Sequence, residues 1–325
     1  MTHQLNLRPF HVPASVGSDI ISVQDLGSIL LYSGIYPLIW SLPEKYYPAV
    51  AHMFAKFVAL FVRRHAQTVC RNRASVGDRI PPEKTNPFYI RYLMNLILAR
   101  FFLLRCHHPS GWHPEVNVEG CKHIEKALTL GKGVILWVAP FRFSSLVTKI
   151  AIRREGFKVS HLSSYAHPGS RTAIGCAMLN PICTKIECRH LAERVIIDRN
   201  GMVGRASPLD ALSSRLQENK VVSVTVLPEG RRRVKVPFLD GQICLATGPA
   251  YLAIKSSTPI LPVFTLRHST GEFSTIVGSE LRGNPNKKLD SQIDEMLVDF
   301  SARLEGYVLR WPDQFPWNRF SLPER

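Results

Sequence analysis

Residues 133–146 read GVILWVAPFRFSSL, an apolar run that passes into a turn and then into a helix-forming segment. The continuous apolar run at 134–138 is typical of a strand that is buried on both faces of a sheet. In α/β proteins, ligands bind at the carboxyl ends of such strands. The turn that follows, APFRFSS, contains no histidine, carboxylate or cysteine. The position is therefore that of a binding site, whereas its residues offer little proton-transfer chemistry.

From residue 116 onward, short β-branched runs alternate with helical patterns. Strands are predicted at 116–118, 134–138, 159–162, 221–226, 233–237, 260–265 and 273–277, and helices at 123–130, 145–154, 208–218, 245–256 and 289–309. Continuous apolar strands separated by helices predict an α/β fold with a largely parallel sheet flanked by helices. We divide the chain into an amino-terminal helical arm, residues 1–110, and an α/β domain, residues 111–325.

The amino-terminal arm is apolar and basic. Residues 26–42 carry no charge and are at the short limit for a spanning helix, so an interfacial or re-entrant segment, a spanning helix and a buried core helix all remain open. Two more apolar helices are predicted, at 46–65 and 88–104, and the first ends in Arg63, Arg64 and His65. Such a pattern is typical of a helix on an anionic bilayer, and equally of a core helix with a solvated basic end. Taken together, these segments predict membrane association, either peripheral or anchored by residues 26–42.

The charge balance limits the partners. The chain has 41 basic and 25 acidic residues, a net charge of +16, which favours an anionic membrane or phosphate-bearing substrates. Because zinc spacing, RNP-like aromatics and a basic heptad region are missing from the sequence, we expect no nucleic-acid partner. The seven cysteines are scattered without metal-ligand spacing, which indicates reduced thiols, a cytosolic compartment and no metal site. A cleavable signal peptide is not expected either.

Three blocks of the sequence resemble one family. Residues 116–138, VNVEGCKHIEKALTLGKGVILWV, resemble the opening of the catalytic domain of the bacterial lipid A late acyltransferases, within the lysophospholipid acyltransferase superfamily. VPFLDGQICLATGPAYLAIKSSTPILPVFTLRH at 236–268 and RWPDQFPWNRF at 310–320 are similar to its later blocks. The resemblance implies transfer of a fatty acyl group from an acyl carrier protein or coenzyme A thioester. The usual acceptor in that family is a hydroxyl of a membrane lipid or glycolipid, and the reaction would take place at the cytoplasmic face of the inner membrane. An amine acceptor, already free to attack, is the alternative for a chain with altered chemistry.

The sequence departs from this family at the catalytic pair. The family's chemistry rests on H-x-x-x-x-E/D, but Pro140 stands at the histidine position and Ser145 at the carboxylate position. Proline has no titratable group, and a serine hydroxyl is no base near neutral pH. Loss of general-base catalysis typically costs about 10²–10⁴-fold in rate. Two interpretations remain: acyl transfer by a non-standard mechanism, or an inactive acyl- or lipid-binding relative that acts as an accessory in lipid or specialised-metabolite biosynthesis.

A second block is similar to acceptor-binding segments. LPEGRRR, residues 227–233, resembles the FPEGTR block of glycerolipid acyltransferases. The resemblance implies that the glutamate and arginine of this block engage the acceptor. Glu229, a carboxylate at a strand end, is also a candidate catalytic base, and the three arginines are candidates to bind phosphate through charge-assisted bonds, namely Arg231, Arg232 and Arg233.

The remaining candidates follow from position. His161 and His167 follow or end a predicted strand, so either is a candidate for a displaced base. Arg142, Ser144 and Ser145 stand at a helix start, where backbone N–H groups favour an anion, and are expected to bind substrate. We expect no bound cofactor, since the acyl thioester is a co-substrate. The expected partners are a membrane lipid surface, an acyl carrier protein and a small-molecule or lipid acceptor.

Overall fold

The structure is a computed structural model that describes residues 19–74, 85–164, 170, 172–197, 208–226, 228 and 232–320. Its strands are β1 (Val116–Glu119), β2 (Val134–Val138), β3 (Val159–Ser164), β4 (Glu193–Ile197), β5 (Val221–Thr225), β6 (Arg233–Phe238), β7 (Gly241–Ala246), β8 (Ile260–Arg267) and β9 (Phe273–Val277). Its α-helices are α1 (Val23–Ser41), α2 (Tyr47–Ala59), α3 (Arg63–Ala74), α4 (Thr85–Arg105), α5 (Cys121–Leu128), α6 (Ser144–Arg154), α7 (Asn180–Cys188), α8 (Pro208–Gln217), α9 (Gly248–Ser256) and α10 (Leu289–Arg310).

The apolar run at 134–138 is the central strand of a seven-stranded sheet, whose order is β1-β9-β8-β2-β5-β3-β4. Every residue of β2 is buried, and β2 pairs in parallel with both β5 and β8. Within this sheet β8 and β9 run antiparallel, while β6 and β7 form a separate antiparallel hairpin. The predicted α/β fold with a largely parallel sheet is confirmed.

Most predicted elements are present, with local differences. Strands β4 and β7 and helix α7 were not predicted. The helix predicted at 245–256 begins instead at Gly248, because residues 241–246 pair with β6. The helix predicted at 46–65 is two helices, α2 and α3, separated by a turn at residues 60–62.

The amino-terminal helices pack against the α/β elements. Phe88 and Tyr92 of α4 share a core cluster with Ile135 and Trp137 of β2. A second cluster joins α1, α2 and α4 to α6, and in it Phe102 of α4 packs against Phe143, the N-cap residue of α6. The described helices of the predicted arm therefore share their cores with the α/β domain.

The uncharged segment at 26–42 lies in α1, which starts at a capping box formed by Ser22 and Asp25 and contains Pro37. Among the described residues, one helix is long and apolar enough to cross a membrane, residues 86–105 of α4, and 56% of it is buried. A largely buried core helix passes the same test. By length and composition, the candidate for a membrane-spanning helix is therefore α4 and not α1, and this is weak support for a span.

The closing segment, residues 311–320, crosses the carboxyl edge of the sheet and ties three parts of the chain together. The side chain of Gln314 exchanges hydrogen bonds with the backbone of Arg267, at 3.0 Å from the Arg267 N–H and 2.7 Å to its carbonyl. The Gln314 carbonyl accepts from the Arg142 N–H at 3.0 Å. Asn72 of α3 donates to the carbonyl oxygens of Trp317 and Phe320. The turn after β2, the end of β8 and helix α3 are therefore held by one segment.

The packing of α10 on the sheet leads to a stability prediction. The ring of Phe300 is fully buried, 4.3 Å from Trp137 between ring centres. We expect Phe300→Ala to lower the free energy of unfolding by about 3–5 kcal/mol, because it leaves a cavity in the core. On the same helix Val298 is 44% exposed, so Val298→Ala should cost far less. Urea unfolding measures both variants, and equal losses would contradict this account of the core.

Candidate functional site

The turn from β2 to α6 forms the centre of the candidate site. Pro140 and Phe141 are buried, whereas the side chain of Ser145 is exposed on the first turn of α6. Phe141 packs against Phe315 of the closing segment, with ring centres 6.0 Å apart. Pro140 and Ser145, which the sequence analysis aligns with the family's catalytic pair, are therefore a buried proline and an exposed hydroxyl.

Arg142 is the charged residue of this turn. Its Nη2 donates to Oδ1 of Asn318 at 3.3 Å, and its guanidinium carbon lies 4.4 Å from the ring centre of Tyr92. Its Nε is buried and has no hydrogen-bond partner among the described residues. Burial lowers the pKa of Arg142; Tyr92 opposes this shift, and the charges of Arg319 and Arg100 add to it. Arg142 is thus a partly buried cation that still has a donor to offer.

His65 of α3 lies on the other side of Tyr92. The Nδ1 of His65 and the hydroxyl oxygen of Tyr89 are 2.7 Å apart, and the His65 and Tyr92 rings are 6.0 Å apart. Within the described chain, the Nε2 of His65 has no hydrogen-bond partner. Burial, and then the charge of Arg142, lower the pKa of His65, so the imidazole is neutral at pH 7.

The cluster of Arg142, His65, Tyr89, Tyr92 and Asn318 was not predicted as a unit. The sequence interpretation treated His65 only as part of a basic helix end. No local pattern identifies it, because α3, α4, the turn and the closing segment meet only in the folded chain. The arginine fork can bind an anion, and the neutral imidazole can accept a proton.

Ser144 lies on the inner side of the same turn. Its buried Oγ has no hydrogen-bond partner among the described residues, and it lines a cavity of about 20 Å³ between α6 and the sheet. The cavity is also lined by Lys149, His161, Ser223 and Thr225. A cavity of this size, with several polar side chains in its lining, accommodates a water molecule but is too small for an acyl acceptor.

His161 and Lys149 are both held inside this region. His161 lies within β3, is 5% exposed, and its Nδ1 is 2.8 Å from the Oγ of Ser223. Lys149 pairs with the fully buried Glu187 of α7 at 3.2 Å and donates to the Ser145 carbonyl. The structure therefore brings the predicted residues Ser144 and His161 to one small cavity, apart from the exposed side chain of Ser145.

Three of the other predicted site residues lie outside the described residues, namely Glu229, Arg231 and His167. Arg232 is exposed, and its Nη1 donates to Oδ1 of Asp290 on α10 at 2.7 Å; Arg233 is exposed at the start of β6. Among the described residues, no three histidine, cysteine or carboxylate side chains are placed to hold a metal ion.

Comparison with known proteins gives one family. Residues 184–320, from within α7 to the closing segment, match the model of the bacterial lipid A biosynthesis acyltransferase family. The predicted resemblance to this family is confirmed over that part. The match begins after the turn at 139–145, which it does not include. A search of curated proteins finds no match.

The contact between Arg142 and His65 leads to a prediction about protonation. Replacing the guanidinium by an amide, Arg142→Gln, removes a positive charge that lowers the pKa of His65. We expect the pKa of His65 to rise, because the charge that disfavours its protonated form is removed. Ring-proton NMR titration of the wild type and the variant measures this shift. An unchanged His65 pKa would mean that the two side chains do not share an electrostatic environment.

Proposed function

The chain carries a domain of the bacterial lipid A biosynthesis acyltransferase family, and from this premise we propose that it transfers a fatty acyl group by a non-standard mechanism. The donor is a thioester of an acyl carrier protein or coenzyme A, and the acceptor is an amine or a hydroxyl. The observation that carries the proposal is Arg142, a partly buried guanidinium with an unpartnered Nε at the carboxyl end of the central strand.

Arg142 supports binding of a phosphate-bearing donor. Both kinds of thioester carry phosphate next to the pantetheine arm, and a guanidinium binds phosphate through paired, charge-assisted hydrogen bonds. The other charged side chains that act on Arg142 most strongly are Arg319 and Arg100, so a bound anion offsets repulsion between cations. A donor anchored here has its thioester near the turn, where the acceptor meets it.

The residues at positions 140 and 145 limit how this transfer proceeds. An amine that is already neutral attacks the thioester carbonyl without deprotonation, and the thiolate that leaves takes up the proton that the new amide loses. A hydroxyl acceptor needs a base, which neither Pro140 nor Ser145 provides. The proposal therefore favours an amine acceptor unless another side chain accepts the proton.

A non-catalytic role is the second candidate. Its motivation is the replacement of both members of the family's pair, with Pro140 buried and Ser145 without a titratable group. In this alternative the chain binds an acyl thioester or a lipid and serves as an accessory in lipid or specialised-metabolite biosynthesis.

We further propose that the protein works at the cytoplasmic face of the inner membrane and docks there through the α2–α3 tip, residues 53–64. Four large apolar side chains are exposed on this tip, Met53, Phe57, Leu60 and Phe61, of which the last is 70% exposed. Lys56, Arg63 and Arg64 are exposed beside them, and residues 45–77 include no aspartate or glutamate. Apolar groups flanked only by cations suit an anionic bilayer.

Transfer and donor binding are tested together. Purified protein is given acyl-carrier-protein and coenzyme A thioesters with a panel of amines and hydroxyls, and the acyl product is measured. We expect Arg142→Gln to weaken donor binding about 10–100-fold, since a hydrogen bond to a charged group contributes about 1.5–3 kcal/mol. Arg153→Gln, at an exposed position on α6, should bind as the wild type does. Binding without transfer to any acceptor would favour the accessory role, and full binding by Arg142→Gln would contradict the anion site.

Membrane docking is tested by co-sedimentation with vesicles. We expect binding to vesicles that contain phosphatidylglycerol, and weaker binding to pure phosphatidylcholine or at high salt. Phe57→Ser should lower the partition coefficient roughly 10-fold or more, because insertion of a phenyl ring contributes about 1.5–3 kcal/mol. The matched control is Leu130→Ser, since Leu130 is 59% exposed but lies beyond the tip in sequence, after α5. Equal loss in both variants would mean that the tip is not the docking surface.

A further inference from the structure

We propose that His65 is the general base of the acyl transfer, supplied by the amino-terminal helices to the turn whose family histidine position holds Pro140. This inference rests on the proposed transfer function and deepens it, because a base extends the acceptors to hydroxyls. The family match does not cover α3, so the assignment comes from the structure alone.

The first support is the placement of the imidazole. His65, Tyr92, Arg142 and Asn318 form a continuous chain of contacts from α3 to the closing segment. The anion site at Arg142 and the imidazole are therefore separated by one tyrosine ring. A donor held at Arg142 lies beside His65 and not beside the enclosed His161.

The second support is the protonation state of the His65 imidazole. Among the described residues, the side chains recorded as interacting with His65 are Tyr89 and Tyr92 of α4 and Arg142 of the turn, none of which is a carboxylate. Burial and the charge of Arg142 both favour the neutral imidazole. A general base must be unprotonated before it accepts a proton. When Nδ1–H donates to the Tyr89 oxygen, the lone pair is left on Nε2, which has no other partner among the described residues. Tyr89 then orients the ring, as the carboxylate does in the family's pair.

The third support is the exclusion of the nearest rival. His161 is 5% exposed and lines a cavity of about 20 Å³, with its Nδ1 bonded to Ser223. An acceptor cannot enter a space that fits a single water. His65 is only half-buried, at the junction of α3, α4 and the turn.

The step balances as follows. The Nε2 of His65 takes the proton of the acceptor hydroxyl while the oxygen attacks the thioester carbonyl. The new carbon–oxygen bond forms, the carbon–sulfur bond breaks, and the thiolate that leaves takes the proton from the imidazolium. The products are an ester, a free thiol and a neutral imidazole, and no oxidant, reductant or metal is required.

The test is single-turnover transfer by the full chain to hydroxyl acceptors, for the wild type and three glutamine variants. His65→Gln should transfer about 10²–10⁴-fold more slowly, the usual loss on removal of a general base, with unchanged donor binding. His123→Gln, on the exposed face of α5, should keep the wild-type rate. His161→Gln tests the rival: a loss there with none in His65→Gln overturns the inference.

A second measurement does not depend on how the variants fold. Diethyl pyrocarbonate acylates neutral, accessible imidazoles, and peptide mass spectrometry locates the modified residue. We expect modification of His65 in the wild type, loss of transfer in step with it, and protection by a thioether analogue of acyl coenzyme A. A wild type that transfers at full rate after His65 is modified overturns the base assignment and leaves the transfer function standing. A wild type that binds donor but transfers to no acceptor overturns both.

Discussion

The buried side chain of Gln314 is the contact on which the candidate site depends. Both polar atoms of its amide bond to the backbone of Arg267 at the end of β8, and its own carbonyl accepts from the N–H of Arg142. A buried amide is costly when its hydrogen bonds are not made, so these bonds specify one position of the closing segment against the sheet. The closing segment thereby fixes the position of the turn after β2. Asn318 of the same segment accepts hydrogen bonds from both Tyr92 and Arg142.

The turn at 139–145 separates two polar environments with different chemistry. On its outer side the guanidinium of Arg142 and the imidazole of His65 stand among aromatic rings, where a low dielectric strengthens the attraction for an anion. On its inner side the hydroxyl of Ser144 faces an enclosed cavity with His161, next to the buried pair of Lys149 and Glu187. Breaking such a pair leaves an uncompensated charge, so the inner side serves the stability of α6. The outer side is the one that we propose binds substrate.

The same helices connect the site to the tip, residues 53–64, that we propose docks on the membrane. His65 follows the exposed tip residue Phe61 by four positions in the chain and lies in the first turn of α3, which begins at Arg63. A tip seated in the headgroup region would therefore place the imidazole and Arg142 close to the lipid surface. This arrangement accounts for the positive charge and exposed apolar rings of a segment that otherwise packs on the sheet.

A structural feature could be predicted from the sequence where it depends on residues that are close together in the chain, and not where it depends on residues that are far apart. The periodicity of Val134–Val138 and of the runs around it is local, and it predicts the parallel sheet and most helices. Strand β7 was not predicted, because its formation depends on pairing with β6 across a short turn. Its own apolar and polar residues alternate only weakly. Arg142 was correctly placed at the turn, but nothing in its neighbours along the chain indicated Tyr92 or His65.

The sequence by itself determined the α/β fold, the resemblance to an acyltransferase family, and the lack of a titratable pair at Pro140 and Ser145. These properties depend on residue identity and on spacing along the chain. Only the tertiary structure decided that His161 is buried and that His65 meets the turn. Both outcomes follow from packing between segments far apart in the chain, where burial and hydrogen bonding, and not local pattern, determine the environment of each imidazole.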